Sequence, residues 1–261
     1  MAIISSEHPF GNTDFAVVEY LMQGYTGKGG TIELNKTKYL DSLQLKLIAA
    51  CAMFIDHTMY TFYPYVYELR TIGRLAFPIF AFLVAVGYQK TRSLPMYMAR
   101  MFIFALIAQI PYEYMLGLPG FHPNVIFTLF LGLVAIHAVE KGNAAIGLII
   151  PAALAVLSEL LMSDHGAYGV LMVIALYFAG TNKIHRSLWI FILTVLFSLQ
   201  YIYIGGWSNP GWYIVLFYLF TIPLINLYNG KKGLDIGFTK WFFYIFYPAH
   251  IILLVVLKSI I

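Results

Sequence analysis

From residue 43 to residue 259 the chain is a succession of nine apolar stretches, at roughly 43–63, 71–89, 96–116, 124–140, 144–162, 166–181, 186–204, 211–228 and 240–259. A helix needs ~20 apolar residues in a row to cross a bilayer, and most of these stretches have about that length. Polar or Pro/Gly breaks separate them, among them Lys90 to Pro95, Lys141-Gly142-Asn143 and Gly205 to Pro210. Such continuous apolarity excludes an outer-membrane barrel, whose strands alternate and turn about every ten residues. A soluble domain is excluded too, because only 11% of residues are charged against ~25% in soluble proteins. The expected fold is an all-α membrane protein, a polytopic bundle of about nine transmembrane helices spanning 43–261. Residues 1–42 are expected to form an extramembrane segment, with at most one small surface helix. Met1 to Gly11 holds Glu7, His8 and Pro9 where a secretory leader would place its apolar core, so insertion is expected to rest on the internal helices. Stretches 124–140 and 166–181 are short, and nearby bending or bilayer thinning is expected there.

Basic residues orient the bundle, since Lys and Arg concentrate in cytoplasmic loops. With the N-terminus in the cytoplasm, only Arg70, Arg74 and Lys258 fall on the outer side, and the other 13 of the 16 basic residues fall on the inner side. The alternation holds loop by loop, so a cytoplasmic N-terminus and an outer C-terminus are expected. The net charge of +4 therefore reflects topology and not a nucleic-acid surface. Cys51 is the single cysteine, so neither an intrachain disulfide nor a thiolate metal site is available to the chain alone. No metal is expected.

Ionisable groups inside a membrane are costly and point to function. Lys46 and His57 are 11 residues apart in the first stretch. At ~100° and ~1.5 Å per residue they share one helix face, ~16 Å apart along the axis. Asp56 points ~100° away from His57 and is expected to meet another helix, through Arg70 or Arg74. Glu113, Asn124, Thr128, Glu159, Asp164 and His165 collect toward the same outer side. For Asp164 and His165 a solvated loop is the simpler expectation. His250, two residues after Pro248 in the last stretch, lies at mid-bilayer depth and needs a partner.

These residues carry a family resemblance. The Lys46-x10-His57 spacing resembles the basic-x10-His motif of the transmembrane acyltransferase superfamily. The segments LQLKLIAACAMFIDH (43–57), IGRLAFPIFAFLVAVGY (72–88), NVIFTLFLG (124–132) and FYPAHIILL (246–254) resemble its TraX branch. That resemblance implies a bacterial cell-membrane enzyme. It would move an acetyl group from cytoplasmic acetyl-CoA to an acceptor at the outer side, as in acetylation of a pilin N-terminal amine. His57 takes the place of the motif histidine and Lys46 that of the motif cation.

The chemistry fits that expectation. CoA is long and anionic, so Lys46, Lys90, Arg92 and Arg100 at the inner mouth are the candidates to hold its phosphates. Arg74, on the outer side, is a further anion contact. His57 would act as general base or as acyl carrier, with Asp56 beside it and Asn124 or Thr128 stabilising the oxyanion. Glu113 and His250 are candidates for acceptor binding, and the outer carboxylates Asp56, Glu113 and Glu159 suit an amine better than a neutral hydroxyl. A peptide N-terminus or an amino sugar is therefore expected ahead of a glycan. The competing expectation is a proton-coupled transporter or flippase relaying protons through Asp56, His57, Glu113 and His250. Expected partners are membrane lipid, acetyl-CoA and the acceptor, without nucleic acid; the oligomeric state stays open.

Overall fold

A computed structural model of the protein describes residues 39–234 and 237–260, without the side chains of 237–240. The expectations for the leader region and for the extramembrane segment up to residue 38 lie outside the described residues. Those residues form α-helices, one 3-10 turn and an isolated bridge between Leu40 and Tyr228, with no strand among them. In chain order the helices are α1 (Ser42–Phe62), α2 (Tyr67–Gly73), α3 (Ala76–Lys90), α4 (Leu94–Leu116), α5 (Val125–Lys141), α6 (Ala144–Leu160), α7 (Gly166–Ala179), α8 (Lys183–Gly205), α9 (Gly211–Leu216), α10 (Thr221–Asn226) and α11 (Gly237–Ile260).

Each apolar stretch of the sequence coincides with a helix or a run of helices, and the polar breaks supply the caps. Asp41 and Gln44 form a reciprocal capping box at α1, with bonds of 2.8 and 3.0 Å. Asn124, Asn143 and Asn182 cap α5, α6 and α8 by accepting from backbone N–H groups of the first turn. Gly117 ends α4 in the left-handed conformation, φ 63°, which costs glycine nothing. The second stretch bends between α2 and α3. Pro78 has no N–H to offer the Arg74 carbonyl four residues earlier, and its ring crowds that carbonyl. Pro223 does the same to Leu219, inside the 3-10 turn Phe217–Phe220 that separates α9 from α10.

Among the described residues, four helical runs are long and apolar enough to cross a membrane: Tyr67–Lys90, Leu94–Leu116, Lys183–Gly205 and Trp241–Ile260. The chain is thus a membrane protein by its helices. α5 and α7 are shorter, as their sequences predict, and both sit inside the bundle. α7 packs on α3, α5, α6 and α8, while α1 packs on α2, α3 and α11. α6, by contrast, turns Leu148 and Ile149 outward, 73% and 64% exposed, as a lipid-facing helix does.

Without a hydrophobic drive between helices in lipid, close packing through small residues holds them together. A Cβ on Gly169 of α7 would stand 2.4 Å from Thr128 Cγ2 on α5 and 3.0 Å from Phe77 on α3. Gly169→Ala is therefore expected to cost ~1–3 kcal/mol by overpacking, visible as a lower Tm of the detergent-solubilised protein. Gly147→Ala is the matched control, since a Cβ there meets nothing nearer than 3.4 Å. Equal Tm values for the two variants would contradict this packing.

Candidate active site

α1 carries the site, and its two ends differ chemically. Toward the Phe62 end, His57 Nδ1 lies 2.7 Å from His250 Nε2 on α11, with the ring planes 9° apart. His250 is 4% exposed, and its Nδ1 lies 2.7 Å from the Phe246 carbonyl one turn back on α11. Phe54, Phe246 and Tyr247 enclose the pair. The partner that His250 requires is thus the imidazole of His57, 193 residues away.

Asp56 points away from His57, as the helical rotation dictates. Its Oδ2 accepts from Arg74 Nη2 at 2.5 Å and its Oδ1 from Arg70 Nε at 3.3 Å. Gly73 lets the carboxylate approach, because a Cβ there would fall 2.2 Å from Asp56 Cβ. Asp56 therefore ties α1 to α2 and does not orient His57. Arg74 is bound in the same cluster and does not line the cavity described below. Removing one partner of such a largely buried pair costs ~3–5 kcal/mol; with Arg70 still in place, Arg74→Leu is expected at the lower end. The check is a thermal melt: a lower Tm is expected, and a Tm equal to that of the wild type would contradict the role of the pair.

Asn124 and Thr128 have no hydrogen to offer an oxyanion. Asn124 Nδ2 donates to the Ala105 carbonyl at 2.8 Å and to Gln109 Oε1 at 2.9 Å, while its Oδ1 caps α5. Thr128 donates to the Asp164 carbonyl at 2.5 Å. Both are fully buried braces. Glu113 accepts from Gln109 at 3.0 Å, within the same network that holds α4 to α5. Glu159 accepts from Ala167 N at the start of α7 and from Gln200 on α8. Of the carboxylates expected to hold an ammonium, Asp56 and Glu159 are engaged between helices and Glu113 is bonded within α4.

The sequence suggests a solvated loop for Asp164 and His165; both lie in the loop before α7, but the His165 side chain is only 11% exposed, against 30% for Asp164. The His165 ring stacks on Phe77, centroids 3.8 Å apart, and lies beside Tyr168 and Tyr218. Its Nδ1 is 2.9 Å from Asp164 Oδ1. Burial disfavours the Asp164 carboxylate, but the adjacent His165 and the Arg74 charge outweigh it and hold the group below the usual carboxylate range. No spacing in the sequence signals this cluster, because it is built across α3, α7 and the turn after α9.

The opposite end of α1 opens on a cavity of about 840 Å³ between α1, α3, α4 and α11. Lys46, Lys90, Arg92, Arg100 and Lys232 line it, and no carboxylate does among the described residues. Arg100 Nε is buried there without a hydrogen-bond partner. The loop carrying Lys232 is pinned to this mouth: Ser42 N donates to the Lys231 carbonyl at 3.0 Å, Ser42 Oγ meets Tyr228 Oη at 3.0 Å, and Lys90 reaches the Gly230 carbonyl. The walls become apolar and aromatic inward, through Phe80, Leu129, Phe243 and Phe246. They reach Met53, one turn before His57, and Tyr247, whose ring centroid is 6.1 Å from that of His57. An elongated polyanion with an apolar arm fits this gradient, its charge at the cationic mouth and its arm pointing to His57.

A family model described as TraX protein matches residues 42–258, from the first residue of α1 almost to the end of α11. The chain belongs to the TraX family. It is 29% identical over 230 residues to the probable fimbrial assembly protein FimC, serogroup H1, of Dichelobacter nodosus, covering 82% of this chain and 93% of that protein. It is also 35% identical over 102 residues to an uncharacterized protein of Rickettsia prowazekii (strain Madrid E), covering 39% and 38% of the two chains. No solved structure gives a significant match. The TraX match thus covers both ends of the site, the cationic mouth and the His57–His250 pair.

Proposed function

We propose that this TraX-family chain is a multi-pass acyltransferase of the bacterial inner membrane. In this reading it crosses nine times with its N-terminus inside, and it moves an acetyl group from cytoplasmic acetyl-CoA to an acceptor at the outer face. One observation carries the proposal. A single cavity gathers the four inner cations expected from the sequence, Lys46, Lys90, Arg92 and Arg100, and its far end approaches His57 along the same helix. The α1 rise from Lys46 to His57, ~16 Å, suits the arm that separates the CoA phosphates from the thioester. The topology has matching support, since Lys46, Lys90, Arg92 and Lys232 meet at one end of the bundle and Arg70 and Arg74 at the other.

His57 is half-buried and its Nε2 makes no hydrogen bond among the described residues. In the proposed reaction this nitrogen removes a proton from the acceptor's N–H or O–H as that atom attacks the thioester carbonyl. The C–S bond breaks as the new C–N or C–O bond forms, and the proton passes to the departing sulfur. CoA leaves as its thiol and His57 is again neutral. The FimC relative, by its name, belongs to fimbrial assembly, which makes a peptide amine the first acceptor to try, with amino sugars and glycans after it. The engaged state of Asp56, Glu113 and Glu159 gives no preference for an ammonium over a hydroxyl.

A proton relay through Asp56, His57, Glu113 and His250 has less support. Asp56 is locked to two arginines and Glu113 to Gln109, so the four groups do not form a hydrogen-bonded chain. The test is to incubate purified protein in nanodiscs with labelled acetyl-CoA and matched peptide, amino-sugar and glycan acceptors. Label transferred to one class is expected. Failure of the protein to bind or consume acetyl-CoA would overturn the proposal.

A further inference from the structure

The His57–His250 contact fixes more than a position. A carbonyl oxygen only accepts hydrogen bonds, so the 2.7 Å contact between His250 Nδ1 and the Phe246 carbonyl requires the proton on His250 Nδ1. In the neutral ring His250 Nε2 then carries a lone pair and accepts. The nitrogen 2.7 Å from it, His57 Nδ1, must be the donor. A neutral His57 with its proton on Nδ1 has a bare Nε2. The direction of the whole chain, from His57 Nδ1–H to His250 and from His250 Nδ1–H to the α11 backbone, is therefore set by one main-chain carbonyl.

We infer that His250 is a positioning residue that holds His57 in the Nδ1–H tautomer and so presents the Nε2 lone pair for proton abstraction. The inference rests on the acyl-transfer reading for its chemical use, though the tautomer itself does not. Free imidazole side chains in water favour the opposite tautomer, with the proton on Nε2, which has no base to offer at that atom. In many enzymes a carboxylate selects the tautomer of a catalytic histidine. Here the neighbouring carboxylate, Asp56, faces Arg70 and Arg74, and a neutral imidazole takes that part. The same contact serves the next step. When Nε2 has taken the acceptor's proton, the Nδ1–H bond to His250 becomes charge-assisted and stronger. The positive charge is then shared by hydrogen bonding between two rings, while the Asp56 carboxylate is bonded to Arg70 and Arg74. Burial of His250 at 4% exposure and the enclosing Phe246 and Tyr247 rings keep water from competing for its Nε2.

The test reads the tautomer directly. Full-length protein carrying ¹⁵N-labelled histidine is reconstituted in nanodiscs without acyl donor or acceptor, and imidazole nitrogen shifts are recorded by NMR. His57→Asn, which deletes one signal set, assigns His57. A protonated Nδ1 and bare Nε2 are expected for His57, and a bare Nδ1 would overturn the inference. In His250→Leu the His57 signals are expected to shift toward the Nε2–H form. Acetyl transfer should fall by about 10²-fold or more, within the range one general base contributes, while the Kd for acetyl-CoA stays within about twofold. His250→Gln restores an acceptor for His57 Nδ1 and a donor for the Phe246 carbonyl; it is expected to recover transfer to within about tenfold and to return the His57 shifts. An unchanged tautomer and rate in His250→Leu would overturn the positioning role, as would a Gln variant as slow as Leu in a folded protein. Because the shifts are read without substrate, they decide the assignment even if no acceptor is acetylated, a result that would count against the function alone.

Discussion

On the proposed acyl-transfer reading, His57→Asn is expected to abolish acetyl transfer, with a loss of about 10³-fold or more, and to leave the protein folded and monodisperse. Asparagine is chosen because its amide N–H₂ lies near the place of Nδ1 and keeps a donor for His250 Nε2. The buried partner is not orphaned, so the ~1–3 kcal/mol penalty of an unsatisfied polar group is avoided. What disappears is the lone pair at Nε2. The expected loss falls within the ~10²–10⁴ that a positioned base supplies. Donor affinity is expected to stay unchanged, since the cationic mouth lies about three turns away along α1. Purified protein, a labelled-donor assay and size-exclusion chromatography check this, and full activity in the variant would remove His57 from the mechanism.

The second large effect is on donor affinity. Lys46→Gln with Arg92→Gln removes two of the five cations that line the cavity among the described residues. At ~1.5 kcal/mol for each charge-assisted hydrogen bond to phosphate that is removed, the proposed donor site predicts that the Kd for acetyl-CoA rises on the order of 10²-fold. Added salt is expected to weaken wild-type binding as it screens the exposed part of the mouth, and the double variant is expected to show a smaller salt dependence. Dephospho-CoA and pantetheine separate the two ends of the cavity, since the cations should discriminate among ligands by phosphate count. Unchanged affinity in the double variant would place the nucleotide elsewhere.

The helices were legible in the sequence because their cause is one-dimensional. Apolar length sets the helix, and Asn124, Asn143 and Asn182 stand where the chain has to start one. The same holds for the pairing of the Lys46 end with Lys90, Arg92 and Arg100, since loop charge alternation already gathers them on one side. The rotation of Asp56 away from His57 also follows from helix periodicity, and its arginine partners were within reach of that argument. The rest depends on which helices touch. Nothing in the spacing of His57 and His250 says that α1 and α11 are neighbours, so His250 reads as an acceptor contact until the fold pairs the two rings. Asn124 and Thr128 have the chemistry of oxyanion donors, but their hydrogens are spent on the Ala105 and Asp164 carbonyls and on Gln109, partners that only the fold reveals. His165 reads as a loop residue because sequence cannot show that Phe77 closes over it.

The most direct measurement of the central claim separates donor and acceptor by a membrane. The protein is reconstituted into sealed vesicles in mixed orientation, with an impermeant peptide or glycan acceptor trapped inside and labelled acetyl-CoA added outside. Molecules whose Lys90 end faces outward then meet the donor at the cationic mouth and the acceptor at the other face. The account predicts acetylated acceptor in the lumen, free CoA thiol outside and no intact acetyl-CoA inside, with lumenal label lost in His57→Asn. Intact acetyl-CoA recovered from the lumen, or label appearing only when donor and acceptor share one side, would contradict it.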